Sequence, residues 1–124
     1  MINIQTIILI LFNHWLFDFF FQTREVGNNK SKSNYYLSLH VGVYSLGLFF
    51  LSFVLFPGDT WAYGFIWAVI NGVAHFLTDY VTSRATSALY KEERYQDFFN
   101  VIGIDQMIHH ITLFGTYIWL KNNI

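Results

Sequence analysis

The chain has 124 residues, suited to a single domain over 1–124, with 54% hydrophobic and 12% charged residues and a formal net charge of −1; an ordinary soluble domain carries about 25% charged residues. A near-neutral chain without a basic stripe argues against a nucleic-acid partner, and a chain without cysteine excludes disulfides, thiolate metal sites and cysteine nucleophiles. Aromatic residues reach 21%, more apolar surface than a small soluble domain can hide, so a lipid bilayer is the expected surrounding.

Four apolar stretches approach the roughly 20 residues that cross a bilayer as a helix: 2–22, 35–56, 61–82 and 99–120. The first has no basic start and ends in Phe19-Phe20-Phe21-Gln22 without a small-residue cleavage site, so it reads as a retained helix and not a signal peptide. The connection 23–34 is polar and expected to be mobile; it carries Arg24, Lys30 and Lys32. Pro57-Gly58-Asp59-Thr60 is a tight turn. In 83–98, Arg84, Lys91, Glu92, Glu93, Arg94 and Asp97 alternate with Leu89, Tyr90, Tyr95 and Phe98, a pattern expected of a short amphipathic helix lying on a membrane. The fold expected is all-α: a four-helix transmembrane bundle with a short amphipathic cytoplasmic helix between its third and fourth helices.

The first and third connections hold the basic residues, the second holds none, and only Lys121 follows the last helix. The positive-inside rule therefore puts the charged connections in the cytoplasm and both termini outside, with Trp61, Tyr63 and Trp119 in the outer aromatic belt.

Three stretches carry a histidine and an aspartate four residues apart: His14…Asp18, His75…Asp79 and, reversed, Asp105…His109. That spacing puts both side chains on one helix face. The first and third helices run inward and the fourth runs outward, so reversing the letters compensates for reversing the chain. At ~1.5 Å per residue the three aspartates lie roughly 5–9 Å inside the cytoplasmic boundary, with the histidines about one turn deeper. His40, entering on the second helix, reaches the aspartate level. An aspartate at the centre of a membrane helix costs about 2.5–3.5 kcal/mol, so these groups should face the interior and find partners there.

Imidazole and carboxylate together suit zinc, with manganese or iron as alternatives, and helical bundles build such sites from inward-facing side chains. The candidate ligands are His14, Asp18, His40, His75, Asp79, Asp105 and His109, enough for two ions, or for one ion with Asp79 or Asp105 as a catalytic base. The competing reading is that each pair is hydrogen-bonded glue between helices. Asn71, four before His75, and Gln106, beside Asp105, form a supporting polar set. Gln22, four after Asp18, could line the mouth of the site. Arg84 could hold an anionic headgroup or serve as an ordinary interfacial anchor. Thr78 and Ser83 are expected to bond back to their own helices, Phe17 and Phe19–Phe21 to meet lipid and packing neighbours, and Gly42 and Gly47 to permit close helix approach. The shared motif on the first and third helices suggests two similar helical hairpins.

The set His14-x-x-x-Asp18 with Gln22, Leu39-His40, His75-x-x-x-Asp79-Tyr80 with Arg84, and Asp105-Gln106-x-x-His109 resembles a family of small bacterial and phage membrane proteins known as domain of unknown function 3307. Lys30 resembles a lysine common after the first helix in that family. The resemblance spans nearly the whole chain and implies a helical membrane protein, with the bacterial inner membrane as its location, but no established reaction. A looser likeness is to small inner-membrane proteins described as metal-dependent hydrolases.

The leading expectation is a metal-dependent hydrolase acting on a lipid or other amphiphile from the inner leaflet. A second is a metal-ion or proton transporter, which would need a homo-oligomer to complete a pore. A third is a non-catalytic phage or host membrane factor stapled by a structural metal.

Overall fold

The computed structural model describes residues 1–124 and contains helices only. Helix α1 (Ile4–Trp15) opens on an Asn3 cap, whose side chain accepts from the Thr6 N–H. It continues into a π-helical turn, Leu16–Phe20, closed by Phe21 N–H donating to Leu16 O at 2.9 Å. A short helix α2 (Arg24–Asn29) follows, capped by Thr23. Helix α3 (Asn34–Leu55), capped by Ser33, ends at the Pro57-Gly58 turn, where Gly58 takes φ 61°. Helices α4 (Trp61–Lys91) and α5 (Tyr95–Lys121) complete the chain.

Two connections differ from the sequence expectation. The segment 83–98 contains no separate amphipathic helix. It has no glycine or proline, so α4 runs on to Lys91 and α5 starts at Tyr95. The reversal is made by Glu93, at φ 58°, with Arg94 N–H donating to Leu89 O at 3.0 Å. That is the left-handed helix stop usually given to glycine. Arg94 secures the turn by donating to Asp97 at 2.8 Å, which raises the Arg94 pKa further. The polar connection 23–34, expected to be mobile, holds α2 and is tied down by Tyr36 donating to Glu25 at 2.9 Å and by Lys30 reaching Asp79.

Helices α3, α4 and α5 pack in sequence, and α1 lies against α3. An apolar core fills the half of the bundle near the α3–α4 turn: Tyr44, Leu48, Leu51, Leu55, Phe56 and Trp67, with Ile10, Leu113 and Leu120. Trp67 Nε1–H donates to Leu113 O at 3.0 Å, joining α4 to α5. Gly47 seats the Phe17 ring, which a Cβ at position 47 would meet at 2.3 Å. Phe17 is therefore a packing residue, and Gly47 is the point of close helix approach. Gly42, expected to do the same, faces open space.

The other half of the bundle is built inside out. Of the chain's 25 buried residues ten are polar or charged, and His14, Asp18, His40, His75, Asp79 and His109 lie here. On α4 the buried stripe is Asn71, His75, Asp79 and Ser83, whereas Val73 (56% exposed), Leu77 (62%) and Val81 (64%) face outward. On α5, His109 is buried while Met107 (60%) and Ile111 (63%) are exposed. Helix α3, with mean hydropathy 1.8, is the one helix long and apolar enough to cross a membrane by composition. Ile4–Phe20 is apolar but shorter. In α4 and α5 the inward histidines and aspartates lower the average.

Candidate metal centre

All three His–Asp pairs and His40 meet in this inside-out half. Asp18 is carried by the π-helical turn of α1. Such turns concentrate at functional sites because the extra residue re-aims a side chain. Its Oδ1 lies 3.0 Å from His40 Nε2 and 3.4 Å from His75 Nε2. Asp79 answers from α4: its Oδ2 lies 3.2 Å from His40 Nε2 and 3.6 Å from His75 Nε2. The two imidazole nitrogens face each other at 3.0 Å. Asp18, His40, His75 and Asp79 are all buried and could hold a metal ion.

The spacing of these four atoms has a chemical meaning. A tetrahedral ion with bonds of about 2.0–2.1 Å holds its ligand atoms roughly 3.3–3.4 Å apart. The five edges between histidine nitrogens and their partners span 3.0–3.6 Å. A proton between His40 and His75 satisfies one edge and leaves two carboxylates aimed at the same point. The donor set, two imidazoles and two carboxylates, suits a borderline divalent ion.

A second group shares Asp79. Its other oxygen, Oδ1, lies 3.1 Å from His109 Nε2, and His109 Nε2 lies 3.3 Å from Asp105 Oδ2. Asp79, Asp105 and His109 form a three-cornered set that could also hold an ion. Asp79 therefore faces one group with each oxygen. The first group has four corners. The second has three, and its Asp105 is only half-buried, whereas all four residues of the first are buried; Asp18, Asp79 and Asp105 all line one cavity. Closed four-ligand sites are structural and three-ligand sites with an open position are catalytic, as a rule for zinc.

His14 stands beside both groups. The Gln106 amide N–H₂ donates to Asp18 Oδ2 at 3.2 Å and to Asp105 Oδ2 at 3.0 Å. Two carboxylates fix that end of the amide as nitrogen, so its oxygen faces His14 Nε2 at 2.8 Å. His14 must donate there, and its Nδ1 accepts from the Tyr44 hydroxyl at 3.0 Å. His14 thus has both nitrogens engaged and orients Gln106, although it also lies 3.6 Å from Asp18.

The remaining candidates fall in several places. Gln22 lines the cavity, and its Oε1 is buried without a partner. Arg84 lies elsewhere: it covers the Tyr80 ring at 3.8 Å and donates to Asn34 Oδ1 at 2.9 Å, pinning α4 to the start of α3. Asn71 donates to Trp67 O and Thr116 Oγ1, and does not bond to His75. Its Oδ1 and His75 Nδ1 are both buried without partners. Thr78 bonds back to Ala74 O, as expected, whereas Ser83 Oγ has no partner.

Three participants were not among the expected site residues. Tyr44 stacks on His75 with ring centres 3.9 Å apart; it follows His40 by four, the spacing that marks the other pairs. Thr82 donates to Asp105 Oδ1 at 2.6 Å and follows Asp79 by three. Lys30 places its ammonium 3.0 Å from Asp79 Oδ2. No periodicity links Lys30 to the site, because α2 brings it there from a connection.

The family described as protein of unknown function (DUF3307) matches residues 6–124. The chain belongs to this family. The matched range takes in every residue of both groups, so the His/Asp centre lies wholly within the family's domain. No curated protein and no solved structure matches the chain.

Proposed function

We propose that this member of the DUF3307 family is an integral-membrane, metal-dependent hydrolase whose centre lies near the cytoplasmic face and acts on a lipid or another amphiphile. The convergence of two imidazoles and two carboxylates, beside a three-cornered group whose half-buried Asp105 lines a cavity, carries this reading. Zinc fits the donor set first, with manganese or iron as alternatives.

The outward apolar stripes support the membrane assignment. A bilayer favours Leu77, Val81, Met107 and Ile111 outside and the His/Asp layer inside, because neither lipid nor an apolar core solvates an aspartate. The four long helices, α1 with its π-turn, α3, α4 and α5, would then span. Helix α4, at about 46 Å for 31 residues, would project beyond a hydrocarbon core of about 30 Å. Lys91 ends that helix and Arg94 follows it, and Lys30 and Lys32 line the cavity with Lys91, as the positive-inside rule asks of the cytoplasmic side.

A divalent ion, when bound, supplies Lewis-acid charge and an acidified water. The chain's own groups do the rest. Asp105 is held by Thr82 and Gln106 with its carboxylate on the cavity wall, where, with an ion on the four-cornered group alone, it can take a proton from an attacking water. Asp79 links the two groups. Tyr44, His14 and Gln106 fix the orientation of the ligands around them.

The apolar core around Leu51, Leu55, Phe56 and Trp67 closes the bundle beyond the histidines, which disfavours a transport path through one copy. The experiment is to incubate metal-loaded protein in nanodiscs of bacterial polar lipids and follow the lipids by mass spectrometry. Metal-dependent consumption of one lipid class, abolished by Asp105→Asn, is the expected result. Intact lipids at full metal occupancy would leave a structural metal instead. Ion flux abolished by Asp79→Asn would favour transport.

A further inference from the structure

The cavity over the three-cornered group has a volume of about 610 Å³, and its wall changes character from floor to rim. The floor is Asp18, Asp79 and Asp105. Above it the wall carries the exposed Lys32 and Lys91, from the α2 connection and the end of α4, and Lys30, whose ammonium lies on Asp79. Lys32 and Lys91 are exposed, and neither makes an ion pair. Two wall atoms, Gln22 Oε1 and Ser83 Oγ, are buried without hydrogen-bond partners, and Ser83 is only 8% exposed.

One side of the cavity is apolar. Phe19 on the π-turn faces it, with Phe98 and Ile102 on α5. Helices α1 and α5 are not packed face to face; polar contacts of His14 with Gln106 and His110 bridge them. The cavity therefore has a polar, lysine-rimmed mouth and an apolar seam between α1 and α5.

From this arrangement we infer that the substrate of the proposed hydrolase, on whose reading the inference rests, is a phosphate ester carried on an apolar chain. Lysine ammoniums bind phosphate as point charges, and Lys32 and Lys91 are free to do so. The carboxylate floor would repel such a group unless the His/Asp groups hold cations; bound ions would also release Lys30 from Asp79 toward the rim. The chain portion lies along Phe19, Phe98 and Ile102 and leaves through the α1–α5 seam into the surrounding lipid. Hydrolysis needs only water: its oxygen bonds to phosphorus, the bond to the lipid oxygen breaks, and the water proton passes by way of Asp105 to that leaving oxygen.

The test is native mass spectrometry of the detergent-purified full chain, titrated with short-chain phosphatidic acid, short-chain phosphatidylcholine and inorganic phosphate. Phosphatidic acid should bind best. The Lys32→Ala/Lys91→Ala double variant, both exposed positions, should weaken that binding by about tenfold or more, while Arg24→Ala, outside the cavity, should not. Equal binding of phosphatidylcholine, or no effect of the double variant, overturns recognition of the anionic group. Inorganic phosphate binding as tightly as the lipid overturns the lipid source and leaves a soluble phosphate ligand. Selective phosphatidic acid binding by zinc-loaded protein, with no lipid consumed, would sustain recognition of the anionic lipid while the hydrolase reading fell. Metal-dependent cleavage of a zwitterionic lipid would do the reverse.

Discussion

His40 on α3 and His75 on α4 point their Nε2 atoms at each other across 3.0 Å, inside a bracket formed by Asp18 and Asp79. All four side chains are buried. Electron-pair donors brought this close in an interior repel one another unless a proton or a cation lies between them, and two carboxylates in the bracket favour the cation.

His75→Ala should therefore remove the ion of the four-cornered group and leave the His109 group able to bind. Metal content measured against protein should fall, not vanish, if both groups are filled. Asp79→Asn should do more, because Asp79 faces both groups. An Asp79→Asn protein with unchanged metal content would show that the carboxylate bridges nothing.

Gln106→Leu tests the support around the ligands. It removes the donors to Asp18 and Asp105 and the acceptor for His14 without touching a ligand atom. Loss of such a supporting partner lowers metal affinity by about 10–100-fold. Titration with a competing chelator reads this directly, and affinity equal to the parent would remove Gln106 from the centre.

Lys30 is placed to compete with a bound ion. Its ammonium sits on Asp79 Oδ2, the same oxygen that faces His40 and His75. Lys30→Met should lower the thermal stability of the metal-free protein, in which Asp79 loses a counter-charge, and should tighten metal binding. Weaker binding in Lys30→Met would mean that the lysine organises the site and does not oppose the ion.

Two glycines on α3 separate packing from chemistry. Gly47→Ala would drive a Cβ into the Phe17 ring, an overpacking that costs about 1–3 kcal/mol. Phe17 adjoins Asp18, so metal affinity should suffer too. Gly42→Ala meets open space and should be neutral or stabilise by up to about 1 kcal/mol through helix propensity. Thermal unfolding of both variants in detergent provides the comparison; equal melting temperatures would contradict the Phe17 contact.

Much of the centre was legible in the sequence because helices make periodicity into geometry. The i, i+4 pairs and the reversed order of Asp105 and His109 brought three helices to one level, and His40 fell at the same depth. Three things were not legible. Glu93 makes the α4–α5 turn in a backbone conformation that usually announces itself with glycine, so the helices hid their own ends. The π-turn that aims Asp18 has no distinctive composition among Phe17, Phe19 and Phe20. Lys30 reaches Asp79 from 49 residues away through α2, a helix too short to show a period. The hydrogen bonds of His14 to Gln106 and Tyr44 were also beyond the sequence, since they join different helices.

Whether the His/Asp layer holds a metal is read by elemental analysis of the detergent-purified full chain, with Asp79→Asn purified in parallel. The expected result is at least one equivalent of a divalent transition metal, zinc first, in the parent and a clear loss in Asp79→Asn. A folded parent protein that carries no transition metal, and takes up none when zinc, manganese or iron is supplied, would contradict it.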